Sequence, residues 1–382
     1  QSTGLINGTN TFARYCSGDL PAASALFDGA TGSTQRIYMN AEENGTTGRA
    51  FAHVVTGGSA GVSYDLPRMG RMNFENAVAC PASGIKTIVC LTDDTGPGQV
   101  YIYVGTKDNA GATEPAKAGM TNGNLYGVKV TGLLNEIPLT GLPGGLPLTF
   151  ILHNFGDVTG MSGASLESTS NTNGVLRFAR PEDSSWDPSN PRDLYFATTG
   201  GSTGTGTAPG RIWRLRFADI ANPETGGEIS LVLDGTEGMS GPDNVTVDPI
   251  GRILINEDVG SPPLSKTWAY DIGTDQLQAV AESSFAYFVT LKNGGNAGLN
   301  TPEEHSGVIE AFSVLGQGWY LIDIQSKYAV ADPVVVQEGQ LLAMYVPPAL
   351  FDVPGDMNCD GRIDLLDIDP FVLALLSSTD YT

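Results

Sequence analysis

The sequence predicts an all-β protein, a six-bladed β-propeller followed by a short C-terminal calcium loop and helix. Three observations lead to this prediction. The 382 residues include 49 glycines and 23 prolines and are only 16% charged, a composition typical of turn-rich β proteins. Helical periodicity is nearly absent before residue 360. Short apolar runs that end in polar or acidic residues recur about every 50 residues, which is the size of a propeller blade.

Six segments carry this pattern, and each is predicted to supply one strand to a separate blade. In chain order they are Ile37–Glu43, Thr87–Asp94, Leu148–Asn154, Leu194–Thr199, Ile253–Asp258 and Tyr320–Gln325, of which the third is the weakest. In a propeller the innermost strand of each blade lines the central channel. If these are the inner strands, the polar residues at their ends converge on one mouth of that channel.

The acidic residues at this predicted mouth indicate bound cations. Clustered carboxylates repel one another and cannot all stay ionised without a counter-charge. Oxygen ligands favour Ca²⁺ or a similarly hard ion. Any one of these acids is better explained as a solvated strand end, and only the set favours a metal site. The three histidines, His53, His153 and His305, are too few to favour a histidine-based site.

The most specific motif spans the twelve residues Asp356–Asp367. Position 6 of this loop is Gly361, where the chain must turn sharply, and position 7 is Arg362, whose backbone carbonyl is a ligand. Positions 1, 3, 5, 9 and 12 are Asp356, Asn358, Asp360, Asp364 and Asp367. The loop is therefore predicted to bind one Ca²⁺. A helix is predicted to follow over residues 366–376. Its apolar face comprises Ile368, Phe371, Val372 and Leu375.

Charge and composition exclude several classes of protein. A formal net charge of −22 argues against a nucleic-acid binder, which should be basic. No stretch approaches the roughly 18 apolar residues of a transmembrane helix. The start at Gln1, without a signal peptide, is compatible with the mature end of a secreted protein. Cys80 and Cys90 flank a predicted hairpin, and a disulfide between them and two free buried thiols are equally compatible with the sequence.

Residues from about 10 to 330 resemble the PhoX-type alkaline phosphatase family. Six short pieces match motifs of that family and occur in the family's order. They are Cys16-Ser-Gly-Asp19, Asn40-Ala-Glu-Glu-Asn44, Gly70-Arg-Met-Asn-Phe-Glu75, Leu91-Thr-Asp-Asp94, Arg180-Pro-Glu182 and Pro242-Asp-Asn244. No single piece is specific, but six in order across most of the chain are moderately so. The resemblance implies a secreted propeller that hydrolyses phosphate esters at an iron–calcium active site.

The resemblance also implies roles for particular residues. The expected metal ligands of the propeller are Glu42, Glu43, Glu75, Asp94 and Glu182. The expected catalytic residues are Arg180, Glu75 and Asp94, with Arg180 binding phosphate through its bidentate guanidinium. An Arg180 that only pairs with Glu182 is the alternative. The family's iron-ligating cysteine falls on Ala41, which has no donor atom. We therefore expect Ca²⁺ in the channel and an Fe³⁺ site that is degraded or altered.

The tail resembles half of a dockerin module, because it has one calcium loop, with aspartate at position 12, where a complete module has two. Dockerins attach secreted proteins to larger extracellular assemblies. The chain is thus divided into a propeller over residues 1–350 and a tail over residues 351–382. The favoured function is a secreted, calcium-dependent phosphoesterase displayed through this tail. The alternative is a non-catalytic extracellular structural subunit of a filament or surface layer, which self-associates or binds an assembly partner through its termini.

Overall fold

Antiparallel strands dominate the part of the chain that the structure describes. This structure is a computed structural model, and it describes residues 11–136, 147–259, 264–285, 303–329 and 337–351. Most strands pair with their neighbours along the chain and so form meanders, two of which are joined into one ten-stranded sheet. The calcium loop and the helix predicted after it lie outside the described residues.

The strands form five such meanders in chain order. The first contains β1 (Tyr15–Asp19), β2 (Ile37–Glu42), β3 (Ala50–Val54) and β4 (Ser63–Asp65). The second contains β5 (Phe74–Ala79), β6 (Lys86–Asp93), β7 (Gly98–Thr106) and β8 (Asn124–Val130), and it is followed by β9 (Leu148–Gly156) and β10 (Arg177–Phe178). The third contains β11 (Pro181–Trp186), β12 (Asp193–Thr198), β15 (Arg211–Phe217) and β16 (Gly227–Leu233), with the small hairpin β13 (Gly201–Ser202) and β14 (Thr207–Ala208) between β12 and β15.

The fourth meander contains β17 (Pro242–Val247), β18 (Arg252–Glu257), β19 (Lys266–Asp271) and β20 (Gln276–Glu282), and the fifth contains β21 (Glu303–Glu310), β22 (Trp319–Ala329) and β23 (Gln337–Tyr345). The α-helices of the described part are α1 (Ala23–Leu26), α2 (Glu114–Lys117), α3 (Gly163–Asn173) and α4 (Phe312–Leu315). Single 3₁₀ turns occur at Gly45–Thr47, Pro67–Met69 and Pro223–Thr225. Among the described residues, no helix has the length and apolar character needed to cross a membrane.

The first strands of the five meanders, β1, β5, β11, β17 and β21, stand side by side, each in contact with the next. Four apolar cores lie between consecutive meanders, one at each interface. Strand alternation explains how one strand supplies two cores. In β6, Val89 and Leu91 point towards the first meander, whereas Ile88 and Cys90 point towards the third. Stacked, twisted four-stranded sheets around an axis are the architecture of a propeller.

The interface between the fifth and the first meander differs from the other four. Residues of β1 and of β21, β22 and β23 line a cavity of about 600 Å³ there. The ring is therefore nearly closed, with an opening at this seam. The described residues contain five meanders, and the sixth predicted blade is not among them.

Five of the six strands predicted from the sequence are confirmed, but their place in the blades was wrong. They correspond to β2, β6, β12, β18 and β22, each of which is the second strand of its meander. The sixth, Leu148–Asn154, falls in β9, which pairs with β8 and β16 and so joins the outer edges of the second and third meanders. The inner strands were missed because they carry polar residues instead of an apolar run.

The two buried cysteines do not form a disulfide. Cys80 and Cys90 are both free and fully buried. The register of the β5–β6 hairpin keeps them apart, because Cys90 lies opposite Val78, whereas the N–H of Cys80 donates to the carbonyl of Ile88. The two thiols therefore pack as small apolar side chains.

Candidate metal and phosphate site

All five inner strands carry a register irregularity against the second strand of their meander. These β-bulges lie at Cys16-Ser17 in β1, Glu75-Asn76 in β5, Glu182-Asp183 in β11, Asp243-Asn244 in β17 and Ser306-Gly307 in β21. A bulge puts two residues opposite one and turns a side chain away from the ladder. Because the inner strands are neighbours, the bulges bring side chains from separate blades together.

Two overlapping groups of donor atoms result. Carboxylate oxygens of Glu75, Asp94 and Glu182 lie within 4.8 Å of one another. The thiol of Cys16 and carboxylate oxygens of Glu43 and Glu75 also lie within 4.8 Å of one another. Glu75 belongs to both groups and so connects them. Four of the five acids expected from the family resemblance are thus brought together by the fold.

Burial makes the charged form of these acids costly. Burial, and then repulsion from Asp183 and Asp94, raises the pKa of Glu75 above its usual range. Burial and the carboxylates of Asp243 and Asp94 raise the pKa of Glu182 well above its usual range. The pKa of Asp243 is raised in the same way, by burial and by Glu75. Acids that share a buried space in this way are stabilised by an added cation.

Arg180 supplies one positive charge to this site. Its Nε and Nη2 atoms donate to the two carboxylate oxygens of Asp94 at 2.8 and 2.9 Å, and Nη2 lies 3.0 Å from Oε1 of Glu182. The Arg180 backbone has φ of 62°, a conformation uncommon outside glycine and associated with functional sites. The side chain remains 42% exposed, so solvent and small anions can reach it.

Glu42, another expected ligand, lies outside both groups. Its two carboxylate oxygens accept from Nε and Nη2 of Arg49 at 2.7 and 2.6 Å, and one also accepts from the N–H of Ala13 at 2.8 Å. Although burial opposes ionisation, these donors hold the pKa of Glu42 below its usual range. The adjacent Glu43 points the other way, as strand alternation requires, and pairs with Arg14.

Cys16, which the sequence analysis did not propose as a ligand, places a thiol beside these acids. Ala41, where the resemblance placed the family's cysteine, is fully buried in the core between the first and second meanders. Cys16 instead comes from the bulge of β1 and reaches Glu43 and Glu75. Although Cys16 is exposed as a residue, enclosure of its thiol, and then the carboxylates of Glu75 and Asp243, raise the pKa of the thiol. The altered iron site expected from the loss of a cysteine at Ala41 stays a prediction, and Cys16, which lies in the first of the matched pieces, offers that site a sulfur donor.

A network of neutral side chains and one further acid positions the ligands. Ser17 Oγ donates to Glu75 Oε1 at 2.5 Å, and Asn244 Nδ2 donates to Ser17 Oγ at 3.0 Å. Asp183 is buried and accepts from Asn76 Nδ2 at 2.7 Å and from the N–H of Val245 at 3.2 Å. These contacts join β1, β5, β11 and β17. Sequence reasoning missed Ser17 and Asp183, since only the ring of strands brings them near the acids.

The alkaline phosphatase PhoX family model matches residues 62–276, which is more than half of the chain. The chain belongs to this family. It is similar to the structure of PhoX from Pseudomonas fluorescens in complex with vanadate, a transition-state analogue, with a TM-score of 0.60 and 13% identity over 87% of this chain and 74% of that one. That likeness shows a shared fold. No curated protein sequence matches the chain.

Two other solved structures align less well, and their scores are too low to carry an argument. CoXyl43, a GH43 β-xylosidase/α-arabinofuranosidase from a compost microbial metagenome, has a TM-score of 0.38 and 8% identity over 90% of this chain and 94% of its own. TolB from Acinetobacter baumannii has a TM-score of 0.28 and 11% identity over 78% of this chain and 63% of its own.

The donor set of this PhoX-family chain fits bound cations. Glu43 Oε2 is buried and has no hydrogen-bond partner, so a coordinating ion would satisfy it. The group of Glu75, Asp94 and Glu182 offers oxygen alone, which suits a hard cation such as Ca²⁺. The group that includes Cys16 adds a sulfur donor, which suits a softer transition metal. The second calcium site predicted from the sequence, in Asp356–Asp367, lies outside the described residues.

Proposed function

We propose that this chain is a metal-dependent phosphomonoesterase whose reaction takes place beside Glu75, Asp94 and Glu182. One observation carries the proposal: the carboxylates of Glu75, Asp94 and Glu182, from two meanders, meet next to a partly exposed arginine held in an unusual backbone conformation. Carboxylates that hold cations, together with a guanidinium, form a set that neutralises the charge of a phosphate. Membership of the PhoX family supports a phosphate ester as the substrate.

The metal ions and the chain have separate tasks in this proposal. Bound cations neutralise phosphate oxygens and act as Lewis acids. Glu75, Asp94 and Glu182 hold the oxygen-bound cation, which we propose to be Ca²⁺. Cys16 and Glu43, with Glu75, form the site for an iron ion.

Arg180 binds and orients the phosphate. A guanidinium has five N–H donors, and those engaged by Asp94 and Glu182 leave others for a phosphate oxygen. Asp94 holds the planar guanidinium through two parallel contacts, which fixes the direction in which the remaining donors point. Ser17 is a positioning residue, because its hydroxyl donates to the carboxylate of Glu75 and holds it in place.

We further propose that the protein works outside the cell and is displayed through its C-terminal calcium loop. The loop ligands Asp356, Asn358, Asp360, Asp364 and Asp367, with the Arg362 carbonyl, are the sequence-based support for this proposal. A non-catalytic assembly subunit is the second candidate, favoured by the exposed apolar side chains of Ile309, Leu341 and Tyr345 in the fifth meander.

Turnover of p-nitrophenyl phosphate by the full chain tests the proposed activity. The protein is stripped with a chelator and then supplied with Ca²⁺, with Fe³⁺ or with both, and its metal content is measured by elemental mass spectrometry. We expect turnover to disappear on stripping and to return with metal. Glu182→Gln should lower kcat/KM by at least 10- to 100-fold, as roughly expected for loss of a metal-site residue.

The matched control is Glu228→Gln, the same substitution at an exposed glutamate of β16. It should leave turnover unchanged. A chain that binds metal at the channel and still shows no turnover would contradict the proposal and favour the assembly subunit.

A further inference from the structure

The cavity between the fifth and the first meander reaches the candidate metal site. We call it the seam cavity; its walls are β1 on one side and β21, β22 and β23 on the other, and its volume is about 600 Å³. Cavities of about 300–1,000 Å³ are typical of sites that enclose a small molecule. Cys16 and Ser17 of β1 line it. Cys16 is a member of the metal-binding group that includes a thiol, and the Ser17 hydroxyl donates to Glu75 of the same group. The seam cavity therefore borders directly on the donor atoms of the site.

The other end of the seam cavity is acidic. Asp323 of β22 and Glu304 of β21 both line it, and Ser306 Oγ donates to Glu304 Oε1 at 2.7 Å. Asp323 lies opposite the bulge of β21, where a Cβ on Gly307 would approach its Oδ1 to 3.0 Å, so glycine leaves room for the carboxylate. Although Asp323 is exposed as a residue, partial enclosure of its carboxylate, and then the charge of Glu304, raise its pKa. The two acids are therefore close enough to act on one bound charge.

Glu304 also connects this acidic end to the metal site. Burial, and then the carboxylates of Glu75 and Glu304, raise the pKa of Asp243. Glu304 therefore lies within electrostatic range of the acids of the inner strands as well as of Asp323. The two acids thus face the space next to the metal site and not a remote part of the surface.

The charge of the seam cavity is negative. Of the described residues that line it, only Arg14 is basic, and its guanidinium pairs with Glu43. Three of them are acidic, namely Asp183, Glu304 and Asp323. A cavity lined by one sign of charge attracts an occupant of the opposite sign and repels one of the same sign. The seam cavity therefore suits a molecule with a positive charge at the end remote from the metal site.

We propose that the seam cavity binds the alcohol part of the substrate and selects phosphate esters of amino alcohols, whose ammonium group interacts with Asp323 and Glu304. The proposal rests on the phosphomonoesterase function proposed above. Arg180 does not line the seam cavity, so a phosphate held between Arg180 and the cations has its alcohol on the side of Cys16. Hydrolysis breaks the bond from phosphorus to the ester oxygen and forms a bond from phosphorus to the oxygen of water. A proton of that water goes to the ester oxygen, and the amino alcohol leaves through the seam.

Three phosphate esters that differ in one terminal group test the proposal. They are aminoethyl phosphate, hydroxyethyl phosphate and phosphoglycolate, which carry a positive charge, no charge and a negative charge at the far end of the alcohol. A primary amine is charged at neutral pH. The full chain, loaded with Ca²⁺ and Fe³⁺, is assayed with each ester and with p-nitrophenyl phosphate. We expect kcat/KM for aminoethyl phosphate to exceed that for hydroxyethyl phosphate by about tenfold, which is typical of one charge-assisted contact, and phosphoglycolate to be the poorest substrate.

Asp323→Asn and Glu304→Gln assign the preference to the seam cavity, because each substitution removes a charge and keeps the shape of the side chain. In each variant the ratio of kcat/KM for aminoethyl phosphate to that for hydroxyethyl phosphate should fall below about threefold, and in the double variant to about one. Glu228→Gln is the matched control, since it makes the same change at an exposed glutamate of β16, and it should keep the wild-type ratio. A ratio within one variant cancels any change in the amount of folded or metal-loaded protein.

Three results would overturn the proposal. Equal kcat/KM for aminoethyl and hydroxyethyl phosphate, in a chain that hydrolyses p-nitrophenyl phosphate, would refute the preference and leave the proposed function intact. A preference that survives in the double variant would place the ammonium group outside the seam cavity. A metal-loaded chain that hydrolyses none of these esters would refute the phosphomonoesterase function, and this inference with it.

Discussion

Removal of the Arg180 side chain should destabilise the metal-free protein and should matter much less once Ca²⁺ is bound. In the metal-free protein, Arg180 is the counter-charge of Asp94 and Glu182, whose side chains are almost fully buried. Breaking a buried ion pair by removing one partner costs about 3–5 kcal/mol. Because Arg180 is partly exposed, solvent screens the contact, and we expect a loss of about 2 kcal/mol for Arg180→Ala.

Thermal unfolding measures this loss. A chain of 382 residues has an unfolding entropy of about 0.8 kcal/mol/K, so a loss of about 2 kcal/mol lowers Tm by about 2–3 °C. The measurement is made in chelator and again in excess Ca²⁺. A bound cation supplies positive charge to the same carboxylates, and the difference between Arg180→Ala and the wild type should then fall below about 1 °C.

The matched control is Arg216→Ala. Arg216 pairs with Asp193 through two contacts, at 2.7 and 2.5 Å, and is 37% exposed, while Asp193 is buried. This pair lies between β15 and β12 and has no part in the metal groups, so its loss should lower Tm equally with and without Ca²⁺. If Arg180→Ala also loses the same Tm under both conditions, Asp94 and Glu182 do not bind the cation.

Three further predictions concern residues near the channel. Asp183→Ala should cost about 2–4 kcal/mol in urea unfolding, because the buried donors of Asn76 and Val245 lose their acceptor; a cost below about 1 kcal/mol would show that the strands do not depend on it. Burial lowers the pKa of His305 to about 4, so the unfolded chain binds a proton before the folded chain does as pH falls below about 6.5. The free energy of unfolding should therefore drop by up to about 3 kcal/mol towards pH 4. In His305→Gln the free energy of unfolding should fall less steeply with pH. Cys16→Ala should abolish the thiolate-to-Cd²⁺ charge-transfer absorption of the Cd²⁺-loaded protein and leave Ca²⁺ affinity within about threefold; a persistent absorption would place the thiol ligand elsewhere.

The sequence was sufficient to locate strands whose two faces are both buried. β6 shows why, because its run Thr87-Ile-Val-Cys-Leu91 places alternate side chains in two cores, and such a strand appears as a continuous apolar segment. The inner strands could not be predicted in this way, because they contain no continuous apolar segment. β11, for example, begins Pro181-Glu-Asp-Ser, which has the composition of a loop, although all but one of its six residues are buried.

Part of the candidate site was predictable because its acids lie in short local motifs. Glu75, Asp94 and Glu182 were found through motifs that the family shares, and the fold brings them together. Glu42 and Glu43 are adjacent and identical in type, so local sequence cannot separate them. The β2 strand does separate them, because alternation turns Glu42 towards Arg49 and Glu43 towards the channel.

Local sequence was therefore enough to predict the fold class, the positions of the apolar strands and the presence of oxygen ligands for a cation. Each of these depends on residues that are neighbours along the chain. The ring of inner strands decided which acids meet, because Cys16 and Glu75 are 59 residues apart and come into contact only when β1 and β5 lie side by side. The exposure of Ile309, Leu341 and Tyr345 in the fifth meander is likewise a tertiary property, because no sheet of the described residues covers them. Pairing across long separations is a property of the ring of strands, and no short stretch of the sequence contains it.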